Sequence, residues 1–260
     1  MNHVNKTLYI PLYGKALVSK KGIILHDEKA EEIWEKEQFP LKGKSKSKWL
    51  AYYMGMRSAV FDNWVKKKTA EYPNAVALHL GCGLDSRAQR INGTLQWFDV
   101  DFPAVIAERK RYYTETERYR LFGADIKDPA LIELLPKAER AIVILEGVSM
   151  YLTNAELRQT LQRLAEHFSH LSVLVDCYTP FAAKMSKIRN PINDVGVSQV
   201  FGVANPSVLE ENTRLRFVKE HEITPAFFID QLQGFEKFVF KTVYAGKTSK
   251  KLYKLYEYES

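Results

Sequence analysis

The sequence predicts an α/β protein built on an open, mostly parallel sheet with helices on both faces. Three observations carry this. An apolar strand at 75–80 runs into the turn Gly81-Cys82-Gly83. Strand-like runs then alternate with helix-favouring stretches as far as residue 177, the pattern of repeated strand–helix crossovers. Acids also stand at successive strand ends, where open α/β sheets bind their ligands.

The elements follow in order. Residues 26–38 are acidic and helix-favouring. A longer helix over 49–72 carries Trp49, Tyr53, Met56, Val60 and Trp64 at steps of three or four, so one face is apolar. The series then runs strand 75–80, helix 84–91, strand 94–100, helix 103–112, strand 118–122, helix 128–135, strand 141–146, helix 154–168 and strand 171–177. The run 141–145 is wholly apolar, as in a strand buried on both faces. Thr153 with Glu156 three residues on is a capping-box signature for the 154–168 helix. Residues 179–222 lose the alternation and contain Pro180, Pro191, Gly196, Gly202 and Pro206, which predicts an insertion of short helices and loops. Two β-rich runs, 235–244 and 251–258, flank Gly246-Lys247-Thr248-Ser249 and predict a hairpin closing the sheet antiparallel. At 260 residues one domain, 1–260, is expected, with 1–72 as a helical cap on the sheet.

Composition narrows the function classes. A 46% hydrophobic content supports a sizeable core. No run approaches the roughly 20 apolar residues of a membrane span. The short N-terminal apolar patch is broken by Pro11 and does not read as a signal peptide, so a cytoplasmic protein without a membrane partner is expected. Cys82 and Cys177 each sit at a strand end and do not suggest a disulfide framework. Cys82 reads as a small residue in a tight turn. The net charge of +7 is concentrated at 42–48 and 66–68. Neither cluster is interleaved with aromatics, so no nucleic-acid partner is expected. The first reads as a solvated linker and the second as the outer face of a helix. No metal site is expected.

The glycine turn and the acids carry the chemistry. Gly81 and Gly83 can take positive φ and let the backbone approach a ligand, and a helix opening behind them would expose free N–H groups. Such a turn also occurs for geometry alone, so the acids decide. Asp99-Val100-Asp101 ends the second strand, Asp125 follows the third and Glu146 the fourth. Asp101 lies 18 residues beyond Gly83, near the spacing at which a carboxylate accepts both hydroxyls of a ribose.

These residues resemble the leucine carboxyl methyltransferase and tetracenomycin-type O-methyltransferase family. The stretch 79–87 (HLGCGLDSR) is similar to its LGxGLDTR motif. Residues 98–103 (FDVDFP), 123–128 (GADIKD) and 146–153 (EGVSMYLT) resemble three further motifs in the same order. Upstream, 56–62 (MRSAVFD) resembles its arginine helix, and the Asp27–Ala30 step is similar too. The resemblance covers about 7–244, and it implies a class I (Rossmann-like) seven-stranded sheet and S-adenosylmethionine as cofactor. It implies that Arg57 pairs with the cofactor's carboxylate, a bidentate match for a guanidinium, and that Gly81 and Gly83 line its methionine part. Asp101 would accept the ribose hydroxyls, Asp125 the adenine amino group with the Ile126 backbone beside it, and Glu146 the α-ammonium. A basic residue near position 15 would help hold the cofactor. Lys127 and Tyr151 fall on the acceptor side, Tyr151 as the catalytic candidate. Asp85 and Arg87 are expected to brace the turn through an ion pair. His221 is a candidate base if the insertion folds over the site. That insertion is expected to act as a lid lined by Phe181, Met185, Phe201 and Val203.

The expected reaction is O-methylation of a small hydroxylated or carboxylated molecule, polyketide-like or another secondary metabolite. Two alternatives stay open. One is a protein C-terminal carboxyl methyltransferase, although that branch has arginine where Lys127 stands. The other is a non-catalytic S-adenosylmethionine-binding protein of the same fold. An NAD-dependent dehydrogenase is disfavoured, because Asp85-Ser86 stands where the third glycine of its turn would be approached.

Overall fold

The computed structural model describes residues 7–37, 39–91, 93, 95–186, 199–246 and 251–260. The strands are β1 (Val76–Leu80), β2 (Gln96–Asp101), β3 (Tyr119–Gly123), β4 (Arg140–Leu145), β5 (His170–Tyr178), β6 (Arg216–Glu220) and β7 (Tyr253–Glu259). They form one seven-stranded sheet in the order β3-β2-β1-β4-β5-β7-β6. The first five are parallel, and β7 runs antiparallel to both β5 and β6. This is the predicted class I methyltransferase plan.

Strand periodicity sorts the side chains into two cores. Ala77, Ile142, Ile144 and Leu174 face one core, with Tyr52, Phe61 and Leu12. Leu78, Leu80, Val143, Leu145, Val173 and Val175 face the other, with Leu157, Leu161 and Leu164. The first core lies under α1 (Tyr9–Lys20), α2 (Glu28–Glu37) and α3 (Lys48–Glu71), the second under α7 (Asn154–His167). The capping box of α7 forms as expected: the Glu156 N–H donates to Thr153 Oγ1, and the Thr153 N–H to Glu156 Oε2.

Several elements differ from the sequence prediction. The helices after β1, β2 and β3 are short: α4 (Arg87–Arg90), α5 (Pro103–Arg109) and α6 (Leu131–Leu134). Pro129 and Pro136 bracket α6 and limit it. The 179–222 stretch does contain a short helix, α8 (Pro180–Ser186), and a 3-10 turn, Pro206–Leu209, but it also contains strand β6. Residues 187–198, including Pro191 and Gly196, lie outside the described residues.

The expected C-terminal hairpin is wrong in its first arm. Residues 226–244 form α9 (Ala226–Ile229), α10 (Gly234–Val239) and a π-helical turn, Phe240–Tyr244. Their aromatic content suggested a strand, but Phe240 and Tyr244 stand one helical turn apart and stack on each other at 4.5 Å. They meet Trp49, Tyr52 and Tyr53 of α3. The antiparallel partner of β7 is β6, an edge strand with exposed Lys219 and Glu220.

The lysine clusters also divide. Lys42, Lys44, Lys46 and Lys48 are exposed around a 3-10 turn that Ser45 closes by donating to the Lys42 carbonyl. Lys66 and Lys67 are exposed, but Lys68 is buried rather than outward. Its ammonium reaches Glu257 at 3.0 Å and Glu259 at 2.5 Å, fastening α3 to β7. Glu257 also pairs with His221 at 2.6 Å.

This cluster generates a pH prediction. Burial pushes the Glu257 carboxyl up, but hydrogen bonds from His221 and Lys68 outweigh it and hold the group down at about 2. A depressed carboxylate contributes stability above its unfolded pKa, about 4.3, and loses it as pH falls through the folded value. Glu257→Gln should cost roughly 1–3 kcal/mol near neutral pH, measured by urea denaturation. The gap from the parent should close between about pH 4 and about pH 2; a gap unchanged there would show that the charge of Glu257 contributes nothing.

Candidate active site

The five parallel strands point their carboxyl ends at one cavity of about 440 Å³. Gly81 and Gly83 have φ of +71° and +52°, the left-handed region the sequence required of them. A Cβ on Gly81 would stand 2.3 Å from Val148 Cγ2, so no larger residue fits this turn. A short helix, α4, does open behind the turn, but two of the N–H groups expected to be free there are taken. The Gly83 N–H donates to Asp101 Oδ2 at 2.8 Å, and the Arg87 N–H to Asp85 Oδ1 at 3.0 Å. Asp101 also accepts from the Phe102 N–H at 2.8 Å. These two bonds hold the carboxylate at the cavity wall and leave half of its lone-pair sites. Burial raises the Asp101 pKa despite both N–H donors.

Below the cavity lies a buried ion network. Arg57, midway along α3, donates from Nε to Glu146 at 3.1 Å and from Nη1 to Asp176 and the Tyr253 hydroxyl, both at 2.9 Å. Glu146 accepts from Arg87 on its other oxygen. Arg87 is fully buried and reaches Asp62 at 2.7 Å and Asp85 at 3.2 Å, so the bracing pair expected of Asp85 and Arg87 is present. Asp85 in turn meets Lys15 at 3.1 Å and Arg90 at 2.8 Å. Arg90 reaches Asp27 at 2.7 Å, and Asp27 caps α2 by accepting from the Ala30 N–H. The Asp27–Ala30 step thus has a local structural cause.

Mutual neutralisation sets the charge states. Burial opposes the charge of Glu146 and Asp85, yet Arg87 with Arg57, and Arg87 with Lys15, hold the two carboxyls below the ordinary range. Burial lowers the Lys15 ammonium against the pull of Asp85. Burial also raises Asp176, although Arg57 and Tyr253 oppose it.

Every expected cofactor or acceptor residue lines the cavity: Arg57, Gly81, Gly83, Asp101, Asp125, Ile126, Lys127, Glu146 and Tyr151. Asp125 accepts from the Lys127 N–H at 2.9 Å, which shapes the turn after β3. The Lys127 ammonium is exposed, 3.5 Å from Glu156. Burial raises the Tyr151 phenol well above its usual range. His221 is not in this cavity; its ring is taken by Glu257. Nor do the four expected lid residues line it: Val203 is core, and Phe181 and Met185 are exposed. The Phe201 N–H donates to the Met150 carbonyl and the Val203 N–H to the Tyr178 carbonyl, so the described part of that segment is fastened to the sheet.

Two residues escaped the sequence reading. Asp176 stands near the end of β5, and the rule that found the other acids would have found it. Tyr253 carries no local signal; the antiparallel pairing of β7 brings its hydroxyl to Asp176 at 2.6 Å.

Similarity to known proteins gives the family. The sequence model of the leucine carboxyl methyltransferase family matches residues 3–165. The chain belongs to this family. It is 30% identical over 240 residues to the tetracenomycin polyketide synthesis O-methyltransferase TcmP of Streptomyces glaucescens, covering 91% of this chain and 89% of that protein. It is 33% identical over 136 residues to the S-adenosyl-L-methionine-dependent methyltransferase dpfgK of Gibberella zeae, 48% of this chain and 45% of that one. A methyltransferase structure from Thermobifida fusca shares the fold at a TM-score of 0.57 and 12% identity, covering 94% and 93% of the two chains. Magnesium protoporphyrin IX methyltransferase of Synechocystis does so at 0.51 and 10%, covering 89% and 92%. This family member is thus an S-adenosylmethionine-dependent methyltransferase. The cavity suits such a cofactor: one acid stands at the end of each of β3, β2 and β4, with the glycine turn of β1 between the last two, and the turn at Gly81 leaves no Cβ in the way.

The network has a direct consequence for stability. Arg87→Met would take from three buried carboxylates, on Asp62, Asp85 and Glu146, the one cation they share, leaving Arg90 to Asp62, Lys15 and Arg90 to Asp85, and Arg57 to Glu146. Breaking a buried pair typically costs about 3–5 kcal/mol, so a large drop in thermal midpoint is expected by calorimetry. A drop no larger than that of an exposed substitution such as Arg111→Met would contradict the assignment.

Proposed function

We propose that the chain transfers the methyl group of S-adenosylmethionine to a hydroxyl or carboxylate oxygen of a small molecule. The observation that carries this is the make-up of the cavity wall. The same cavity is lined by Gly81, Asp101, Asp125 and Glu146 and by the apolar side chains of Leu8, Ile10, Leu50, Met54 and Met150. Ile10 comes from α1 and Leu50 and Met54 from α3, an apolar wall that suits an enclosed acceptor. The O-methyltransferase named for tetracenomycin synthesis, similar over nine-tenths of this chain, supports the same reading.

In this reading Arg57 holds the cofactor's carboxylate, with Nη2 as the donor left over from Glu146, Asp176 and Tyr253. Asp101 uses its remaining lone pairs for the ribose hydroxyls. Asp125 takes the adenine amino group, beside an Ile126 N–H that makes no hydrogen bond among the described residues. Glu146 offers its free lone pairs to the α-ammonium. The cofactor supplies a methyl group on a positively charged sulfur, whose bond to carbon breaks as the acceptor oxygen attacks. The protein then has to align the acceptor and exclude water. Tyr151, kept protonated by burial, would donate a hydrogen bond to the acceptor, and Lys127 at the rim would favour an anionic one.

Two results would test this. By calorimetry the parent should bind S-adenosylhomocysteine and not NAD. Asp101→Ala should lose roughly 1–3 kcal/mol of that affinity, whereas Tyr151→Phe should keep it and change turnover. Preference for NAD, or full affinity in Asp101→Ala, would overturn the assignment. With labelled cofactor, methylation of a phenol should accelerate as pH rises from about 7 toward its pKa of about 10, while a carboxylic acid, ionised throughout, should not respond.

A further inference from the structure

The segment from α9 to the π-helical turn is apolar on two sides. Its inner side carries Phe240 and Tyr244, which meet Trp49, Tyr52 and Tyr53 of α3. Its outer side carries Phe235 and Phe238, three residues apart and so on one face of α10; they are 70% and 61% exposed. Val243 and Phe227 are exposed as well, at 57% and 56%. Asp230 holds Lys237 at 3.0 Å and Lys241 at 3.2 Å, which keeps the end of α9 beside α10 and the turn. Single exposed apolar side chains are ordinary, but four large ones in one short segment mark a contact surface.

Lysines surround this face. Lys48 reaches Glu236 of α10 at 3.2 Å and lies over the Trp49 ring at 4.8 Å. The 3-10 turn before α3, with exposed Lys42, Lys44 and Lys46, therefore adjoins it. Lys21 stands over the Tyr52 ring at 5.3 Å, and the Tyr52 hydroxyl donates to Glu236 at 2.9 Å. With Lys237 and Lys241 these lysines outnumber the acids among them, Asp230 and Glu236. A second copy of the chain seated here would set lysine against lysine across a two-fold axis. A nucleic-acid strand would satisfy the lysines but gain nothing from Val243, which offers no stacking face. A bilayer with anionic headgroups meets both features at once: the rings enter the headgroup boundary while the ammonium groups stay at its charged surface.

We propose that this face seats the protein on an anionic lipid bilayer, with Phe235 and Phe238 inserted and the lysines on the headgroups. No helix among the described residues is long and apolar enough to cross a membrane, so the contact is peripheral. The first turns of α3 serve both sites: Trp49 and Tyr52 support the face, and Leu50, Tyr53 and Met54 line the first cavity. This holds whichever acceptor is methylated.

The test is co-sedimentation of the whole protein with vesicles of phosphatidylcholine alone, or of phosphatidylcholine and phosphatidylglycerol in equal parts. The parent should pellet with the mixed vesicles and not with phosphatidylcholine alone. Its bound fraction should fall as salt rises from about 0.05 to about 0.5 M. The double variant Phe235→Ser, Phe238→Ser, at unchanged charge, should bind about tenfold more weakly. The double variant Lys44→Glu, Lys46→Glu, on an exposed turn, should also bind more weakly and show a shallower salt dependence. Circular dichroism and S-adenosylhomocysteine calorimetry establish which variants are folded, and the lysine variant carries the test if the phenylalanine variant is not. No pelleting with the mixed vesicles, equal pelleting with both lipids, or full binding by either folded variant would overturn the proposal. So would a parent dimer that the phenylalanine variant breaks, or a single-stranded polynucleotide bound more tightly than the mixed vesicles.

Discussion

Everything at the carboxyl edge of the sheet depends on one contact, the Glu146 carboxylate held between Arg57 and Arg87. A charge of this kind is tolerated in a protein interior only when paired and fully hydrogen-bonded. Arg57 belongs to α3, Arg87 to α4, and Glu146 follows β4. The same two guanidiniums extend to Asp176 of β5, Tyr253 of β7, and Asp62 of α3. Elements far apart in sequence are thereby fastened at the place where the cavity floor must be defined. Apolar burial alone could not specify this, because it is non-directional.

The network also accounts for the position of the site. Side-chain alternation puts apolar residues of β1 and β4 into two dry cores, one on each face of the sheet. The acids that line the cavity stand at the strand ends, where the backbone leaves the ladder. There the left-handed glycines let β1 turn away without a side chain filling the gap. Asp101, fixed by two N–H groups, faces the opening they leave. The ion pairs lie beneath and hold these groups in one geometry, which is the preorganisation a methyl donor and its acceptor need.

Much of this was legible in the sequence, for local reasons. The strand series, the capping box at Thr153 and Glu156, the positive φ of Gly81 and Gly83, and the acids at positions 101, 125 and 146 depend on short-range pattern. Motif order was enough to bring Arg57 from a distant helix to the same cavity. What was missed depends on long-range pairing or on composition that two structures share. The aromatic run 235–244 has the composition of a strand and the spacing of a helix, and its contacts with Trp49 and Tyr52 decided the matter. Lys68 looked like its exposed neighbours Lys66 and Lys67 until Glu257 and Glu259 arrived from the last strand. Tyr253 reached the site by the same antiparallel strand, whose partner β6 was hidden in a stretch read as short helices and loops.

The central claim is that the buried arginines are already fixed before any cofactor binds. Nitrogen-15 NMR of the arginine side chains tests it most directly, by following Nε–H exchange with solvent in the free protein and with S-adenosylhomocysteine. Arg57, Arg87 and Arg109 donate from Nε to Glu146, Asp62 and Tyr119, so all three signals should be slowly exchanging in the free protein. Addition of the nucleoside should shift Arg57 and leave Arg109 nearly unmoved. If the Arg57 and Arg87 signals exchange as fast as that of exposed Arg111 and become protected only with the nucleoside, the network is assembled by the cofactor and the claim is wrong.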